Sequence, residues 1–181
     1  MGLGGHMMWT AVAREIVEHH KKEQGDFKII PTSGTNIINS EVFKNNPYFT
    51  EDESTNHFKM NLSNSQTNYC IKEENGKAHH RYDKHIIEQA CEYYGINNPK
   101  LKCELYFTDK EINNINHLLP KDDFITIEPH SKIDYSPNNA YPFNKWQNVI
   151  DKFPNINFVQ IGVSGKSVLN NAIDLTGKMS Y

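Results

Sequence analysis

Two glycine-bearing stretches and one basic loop carry the residue types that chemistry on a phosphate-bearing ligand requires. Gly2-Leu3-Gly4-Gly5-His6 precedes an apolar-periodic run. Glycines let backbone approach a ligand closely, and the start of a helix offers unpaired N–H groups to an anion or a reacting oxygen. A tight turn would use the same glycines, and Met7 stands where a GxGxxG pattern needs its third glycine. His6 sits at the helix mouth, where a side chain can enter a cleft. Further on, Glu128-Pro129-His130-Ser131-Lys132 follows an apolar strand-like run. The carboxyl edge of such a sheet is where α/β proteins bind ligands. There Ser131 can hydrogen-bond, and Lys132 can neutralise, a diphosphate; a solvated loop is the alternative. The third stretch, Gly162-Val163-Ser164-Gly165-Lys166-Ser167, ends another apolar run. A phosphate-binding P-loop spaces its glycines as GxxxxGK[ST], whereas only Val163 and Ser164 separate these two. A strand-to-glycine turn survives that test; a kinase or NTPase loop does not.

The remaining reactive side chains give weaker signals. His19-His20 and His79-His80 are adjacent pairs without HExxH spacing. Neighbours on a helix diverge by about 100°, so solvated histidines explain them and no metal site is expected. Cys70, Cys91 and Cys103 are odd in number and never CxxC-spaced, which signals neither a disulfide framework nor a zinc knuckle. They read as thiols in a reducing compartment.

Composition sets the frame for these sites. With 181 residues, a net charge of −3 and 37% hydrophobic residues, one ordinary domain or two small ones can form. The near-balanced charge gives no groove for nucleic acid and no polybasic patch. No run approaches the roughly 20 apolar residues of a membrane span, and no secretory signal is evident. A cytoplasmic protein is expected, with peripheral contact at the inner membrane face left open.

The elements that must position the sites follow from periodicity. Met7–His20 has apolar residues at helical spacing, closed by Gly25, and Phe27–Ile30 is a short strand ended by Pro31. NHFKMNL and TNYCI suggest strands and KEENGKAHH a loop. Asp83–Tyr94 is a helix, and Leu101–Tyr106 is strand-like. Thr108 with Glu111 forms a capping box for a helix whose inner face is Ile112, Ile115, Leu118 and Leu119. A polar break at 120–123 predicts a domain boundary, giving domains over 1–120 and 121–181. Beyond it the pattern is β-α-β: strand Phe124–Glu128, loop Pro129–Ala140, helix Phe143–Phe153, strand Asn157–Ile161, turn Gly162–Gly165. Such alternation argues for an α/β fold with parallel strands joined by a helical crossover.

Several of these segments together resemble the family 9 glycosyltransferases, the heptosyltransferase-like enzymes of bacterial surface-polysaccharide synthesis. GLGGHMMWTAVAREI resembles that family's glycine-rich opening, and CELYFTDKEINNINHLL the end of its first domain. ITIEPHSK, NNAYPFNKWQNVIDKF and NFVQIG resemble the entry to its second domain, and DLTGKMSY a stretch that follows. About half the chain is covered, and residues 33–80 match nothing in the family. The resemblance implies a GT-B fold, with a Rossmann-like acceptor domain and a Rossmann-like donor domain. It implies inverting, metal-independent transfer of a heptose or hexose, without a cofactor. The donor is a nucleotide-diphosphate sugar and the acceptor is saccharide- or lipid-linked. By the same resemblance His6 stands near the position of the usual Asp base, which Gly5 replaces. Gly4, Gly5, His130, Ser131, Lys132, Asn139, Lys145, Gly162 and Ser164 become donor-side candidates. Both ends look cut relative to the family, so this chain alone is expected to be inactive, with an uncovered sheet edge at Phe158, Val159 and Ile161. A non-catalytic binding or scaffold domain, and another α/β nucleotide-binding enzyme, remain alternatives.

Overall fold

A computed structural model describes residues 3–62, 70–72, 78–80, 84–130 and 141–178. Within them the chain is mixed α/β and divides into two compact units, Met1–Phe107 and Thr108–Tyr181. That division falls ahead of the polar break at 120–123, so the Thr108-capped helix belongs with the second unit.

The first unit opens with α1, Leu3–Gln24. It starts four residues before the periodic run that the sequence marks, because Gly4 and Gly5 adopt helical backbone instead of a turn. Its face of Met8, Trp9, Val12, Ala13, Ile16 and Val17 enters the main core together with Phe27, Ile29, Phe43, Phe49, Met60 and Ile87. Gly25 ends it at φ 72°, donating to the Lys21 carbonyl. β1 (Lys28–Ser33) follows, then β2 (Asn36–Ile37), a 3₁₀ turn (Glu41–Phe43) and β3 (His57–Asn61). Strand order is β2-β1-β3, with β1 parallel to β3 and antiparallel to β2.

Proline does not end β1, contrary to the sequence reading. The β1 residues that bond toward β3 are the even ones: Lys28 donates to Asn56 and Thr32 accepts from Leu62. Ile29 and Pro31 face the other way, where the Pro31 carbonyl accepts from Ile38. The missing proline N–H is therefore absent only from the side where the ladder does not need it.

A small antiparallel hairpin, β4 (Cys70–Lys72) and β5 (Ala78–His80), places a strand where the end of KEENGKAHH reads as a loop. α2 (Ile86–Glu92) packs Ile87, Ala90 and Cys91 into the main core. Leu101–Tyr106 forms no strand. Side chains of α1 bond the backbone here and just before it: Arg14 donates to the carbonyls of Lys100 (2.7 Å) and Lys102 (2.8 Å), and Thr10 Oγ1 accepts from Glu104 N (3.0 Å).

The second unit begins with α3 (Asp109–Asn116), whose Thr108–Glu111 capping box forms as the sequence indicates. Its apolar stripe is present but uncovered, Ile112 being 48% and Ile115 37% exposed. Then come β6 (Phe124–Ile127), α4 (Phe143–Lys152), β7 (Asn157–Gln160) and β8 (Ala172–Asp174). Order is β6-β7-β8 and both pairings are parallel. The β-α-β unit read from periodicity is thus present. β8, invisible in the sequence pattern, makes β7 central, which corrects the expected bare edge: Phe158 is 4% and Val159 0% exposed. On one sheet face Ile127, Phe158 and Ala172 meet Phe143, Trp146 and Ile150 of α4, with Leu169 closing the cluster.

Candidate functional site

Parallel pairing brings the ends of β6, β7 and β8 to one edge of the second unit, so the residues following each strand meet there. After β6 comes Glu128, after β7 Gly162, and after β8 the turn Leu175–Lys178. Gly162 has φ 123°, a backbone conformation that favours glycine, and a Cβ there would displace the Glu128 carboxylate from its place. Gly177 has φ 66°, and its Cβ would lie 2.6 Å from that of Ser164. The two turns are joined by a 2.7 Å hydrogen bond from Gly177 N to the Gly162 carbonyl.

A buried amide holds this edge in shape. Gln160, fully buried at the end of β7, donates to the Ser167 carbonyl (2.9 Å) and accepts from Leu169 N (2.8 Å). It thereby fixes the return from Gly162 to β8. The same carbonyl accepts from His130 Nε2 at 2.8 Å, and the His130 ring stacks on Phe143 at 5.2 Å. That stacking seats the first turn of α4 at the strand ends. In the last turn, Asp174 accepts from Thr176 N (2.9 Å) and Thr176 Oγ1 (2.7 Å). These bonds hold its carboxyl below the usual carboxylate range. Lys178 Nζ donates to the Asp174 carbonyl (2.8 Å).

Of the donor-side candidates, His130, Gly162 and Ser164 meet at this edge. Lys145 lies in the first turn of α4, its ammonium 5.7 Å from the centre of the Tyr141 ring. Ser131, Lys132 and Asn139 lie outside the described residues. Glu128 opened the loop marked in the sequence but was given no role there; Gln160, Asp174, Gly177 and Lys178 were not singled out, although DLTGK carried the signal for the last three.

In the first unit, Gly4 and Gly5 lie in the first turn of α1, so they do not form the ligand-cradling turn expected of them. Among the described residues, and apart from the backbone of α1 itself, no atom lies within 4 Å of where a Cβ on Gly4 would stand. His6 is therefore inside the helix, not ahead of it. Its Nδ1 is 2.8 Å from Ser40 Oγ and its ring centre 5.4 Å from that of Phe43. Burial pulls its pKa below the ordinary histidine value, so the neutral imidazole is favoured. Ser40 and Phe43 in turn line a cavity of about 380 Å³.

Two other polar clusters hold structure together. Arg14, 6% exposed, pairs with Glu15 (2.9 Å) and Glu104 (3.0 Å) besides its two carbonyls. Burial works against the ionised Glu104, but hydrogen bonding from Tyr106 and the Arg14 charge outweigh it and lower its pKa. Burial also pushes the Cys91 thiol up to about 12, which makes it a poor nucleophile. Among the described residues no group of three or more His, Cys, Asp or Glu side chains is placed to hold a metal ion, and no helix is long and apolar enough to cross a membrane.

No protein-family model, curated protein or solved structure matches this chain.

Proposed function

We propose that the chain serves sugar transfer: the second unit binds the diphosphate of a nucleotide sugar, and His6 of the first unit takes the proton of an acceptor hydroxyl. The observation carrying this reading is the shared edge of β6, β7 and β8, where two glycine turns are hydrogen-bonded to each other and α4 begins. Ligands of open α/β sheets lie in that place. The first-turn N–H groups of α4 supply donors, and the ammonium of Lys178 a cation, for a leaving diphosphate. The carboxylate of Glu128 fills the space at Gly162, so the anion is better served by α4 and by the turn after β8. The resemblance to the family 9 glycosyltransferases supports the same assignment. It brings with it a GT-B arrangement, an inverting metal-independent reaction, and a saccharide- or lipid-linked acceptor.

The test is titration of the whole chain with UDP-, GDP- and ADP-sugars, followed by amide NMR. Shifts should concentrate at Phe143–Lys145, Gly162 and Thr176–Lys178. Gly177→Val, which must displace Ser164, should weaken binding at least about tenfold, a loss of roughly 1.4 kcal/mol. Silence of these amides at millimolar nucleotide sugar would sink the reading.

A further inference from the structure

The first unit holds a second cavity, of about 530 Å³, at the opposite end of its sheet from where ligands of α/β proteins ordinarily lie. It opens where the parallel strands β1 and β3 begin, beside the last turns of α1. Gly25 ends α1 by donating to the Lys21 carbonyl (3.0 Å), and the chain turns at once through Asp26 and Phe27 into β1. α1 and the start of β1 thus become two walls. The third comes from loops bonded to the second. Lys28 N donates to the Asn56 carbonyl (3.0 Å), Ile29 N to the Tyr48 carbonyl (2.7 Å), and Asn56 Nδ2 to the Asp26 carbonyl (3.1 Å). Backbone groups anchor these walls, so the cavity is pre-formed, as ligand sites usually are. All of its walls belong to the first unit.

The lining sets unlike charges around an apolar floor. Val17, Phe27, Pro47 and the Tyr48 ring supply the floor. Glu18 and Lys21 of α1 and Asp26 just past it share one network. Lys21 Nζ bonds Asp26 at 3.1 Å, and that bond, the Asp26 charge and the Glu18 charge raise its pKa. One ammonium therefore serves two carboxylates, which leaves one negative charge in excess. Tyr48 donates to Glu18 Oε1 (3.4 Å) and stays a phenol, because burial and the Glu18 charge push its pKa up. Lys28, at the head of β1, has no hydrogen-bond or ion-pair partner for its ammonium among the described residues. A ligand with one positive group, one negative group and an apolar body answers all three features. Complementarity of this kind decides which ligand is preferred more than how tightly it binds.

We propose that this cavity binds a free α-amino acid with an apolar side chain. Its ammonium meets Glu18, its carboxylate meets Lys28, and its side chain lies on Phe27, Pro47 and the Tyr48 ring. An α-amino acid carries both charged groups on one carbon and directs its side chain away from them. A peptide carries them at opposite ends and presents only one to the cavity. Binding uses neither His6 nor the second unit, so it is independent of sugar transfer.

Amide NMR of the whole chain tests the site. L-phenylalanine and L-leucine should shift the amides of Val17, Glu18, Lys28, Tyr48 and Asn56. If neither moves them at millimolar concentration, the cavity is not an amino-acid site. N-acetyl-L-phenylalanine and L-phenylalaninamide each lack one charge. Each should bind at least about threefold more weakly than L-phenylalanine, the scale of a partly exposed charge pair. Equal binding by either would mean a site for a plain carboxylate or a plain amine, and overturns the proposal. Glu18→Gln and Lys28→Met alter exposed side chains, so neither disturbs the core. Glu18→Gln should weaken L-phenylalanine by a similar factor and leave N-acetyl-L-phenylalanine unchanged. Lys28→Met should weaken L-phenylalanine and leave L-phenylalaninamide unchanged. Undiminished L-phenylalanine binding in either variant overturns the proposal.

Discussion

At the scale of single residues, His6 offers a measurement that needs no substrate. Its folded-state pKa lies below the ordinary 6.5 because burial disfavours the imidazolium. Above pH 6.5 the group is neutral in both folded and unfolded chain and contributes nothing to the pH dependence. As pH falls through 6.5 the unfolded chain binds the proton first, so stability is lost toward acid until the folded imidazole titrates as well. The slope from one such group cannot exceed about 1.4 kcal/mol per pH unit. Urea denaturation from pH 8 to 5 should therefore give a wild-type curve that drops relative to His6→Asn. A relative gain toward acid would mean that the imidazolium is welcomed in the fold, and that His6 is not held as a neutral acceptor. Sequence reading could find His6, because a histidine after glycines at a helix start is conspicuous. It could not find Ser40, whose contact with His6 spans 34 positions and follows no local period. Gly162 was legible as a strand-to-glycine turn. The acid that fills its missing side chain was not, since Glu128 reaches it only through the pairing of β6 with β7.

Elements were legible wherever backbone hydrogen bonds stay local or follow a repeat. The helix pattern of α1, the capping box of α3 and the β6-α4-β7 order could all be read. Misreadings arose where tertiary partners decide. Pro31 remains in β1 because its nitrogen faces away from the β3 ladder, and LKCELYF alternates like a strand although Arg14 and Thr10 bond its backbone. That last arrangement is testable. Arg14 is nearly buried and serves two carbonyls and two carboxylates. Removing it leaves Glu104 without its countercharge and two acceptors without donors. Such a loss costs about 3–5 kcal/mol. Arg14→Ala should lower the urea midpoint accordingly and speed proteolysis within residues 100–107. Arg14→Lys should recover only part, because one ammonium cannot reproduce the guanidinium fork. A change below about 1 kcal/mol, the scale of an exposed pair, would show that segment 100–106 is held by its apolar contacts alone.

For the whole molecule, the decisive quantity is how unequally the core is divided. Among the described residues of the first unit, eighteen buried ones form one cluster that joins α1, α2, β1, β3 and the 3₁₀ turn. In the second, four of the described buried residues form the core between α4 and the sheet, supported by Phe143, Trp146 and Ala172. Each fully buried aliphatic or aromatic side chain contributes about 1.5–3 kcal/mol before entropy is subtracted. The cost of ordering backbone grows with chain length and is similar per residue in both units. The second unit therefore keeps the smaller net stability, even though its parallel sheet carries the candidate ligand edge. Low stability is expected of elements that must adapt to a ligand. Native-state hydrogen exchange in rising urea should accordingly release the amides of Ile127, Phe158 and Val159 before those of Val12, Ile29 and Ile30. The separation should be at least about 1 M urea, given slopes of 1–3 kcal/mol per molar. A nucleotide sugar that binds the β6-β7-β8 edge should narrow that gap by protecting the weaker unit, because a ligand stabilises whatever it binds in proportion to its occupancy. Both groups of amides exchanging together in a single transition, with or without nucleotide sugar, would show that the chain unfolds as one cooperative body and that unequal cores do not set its stability.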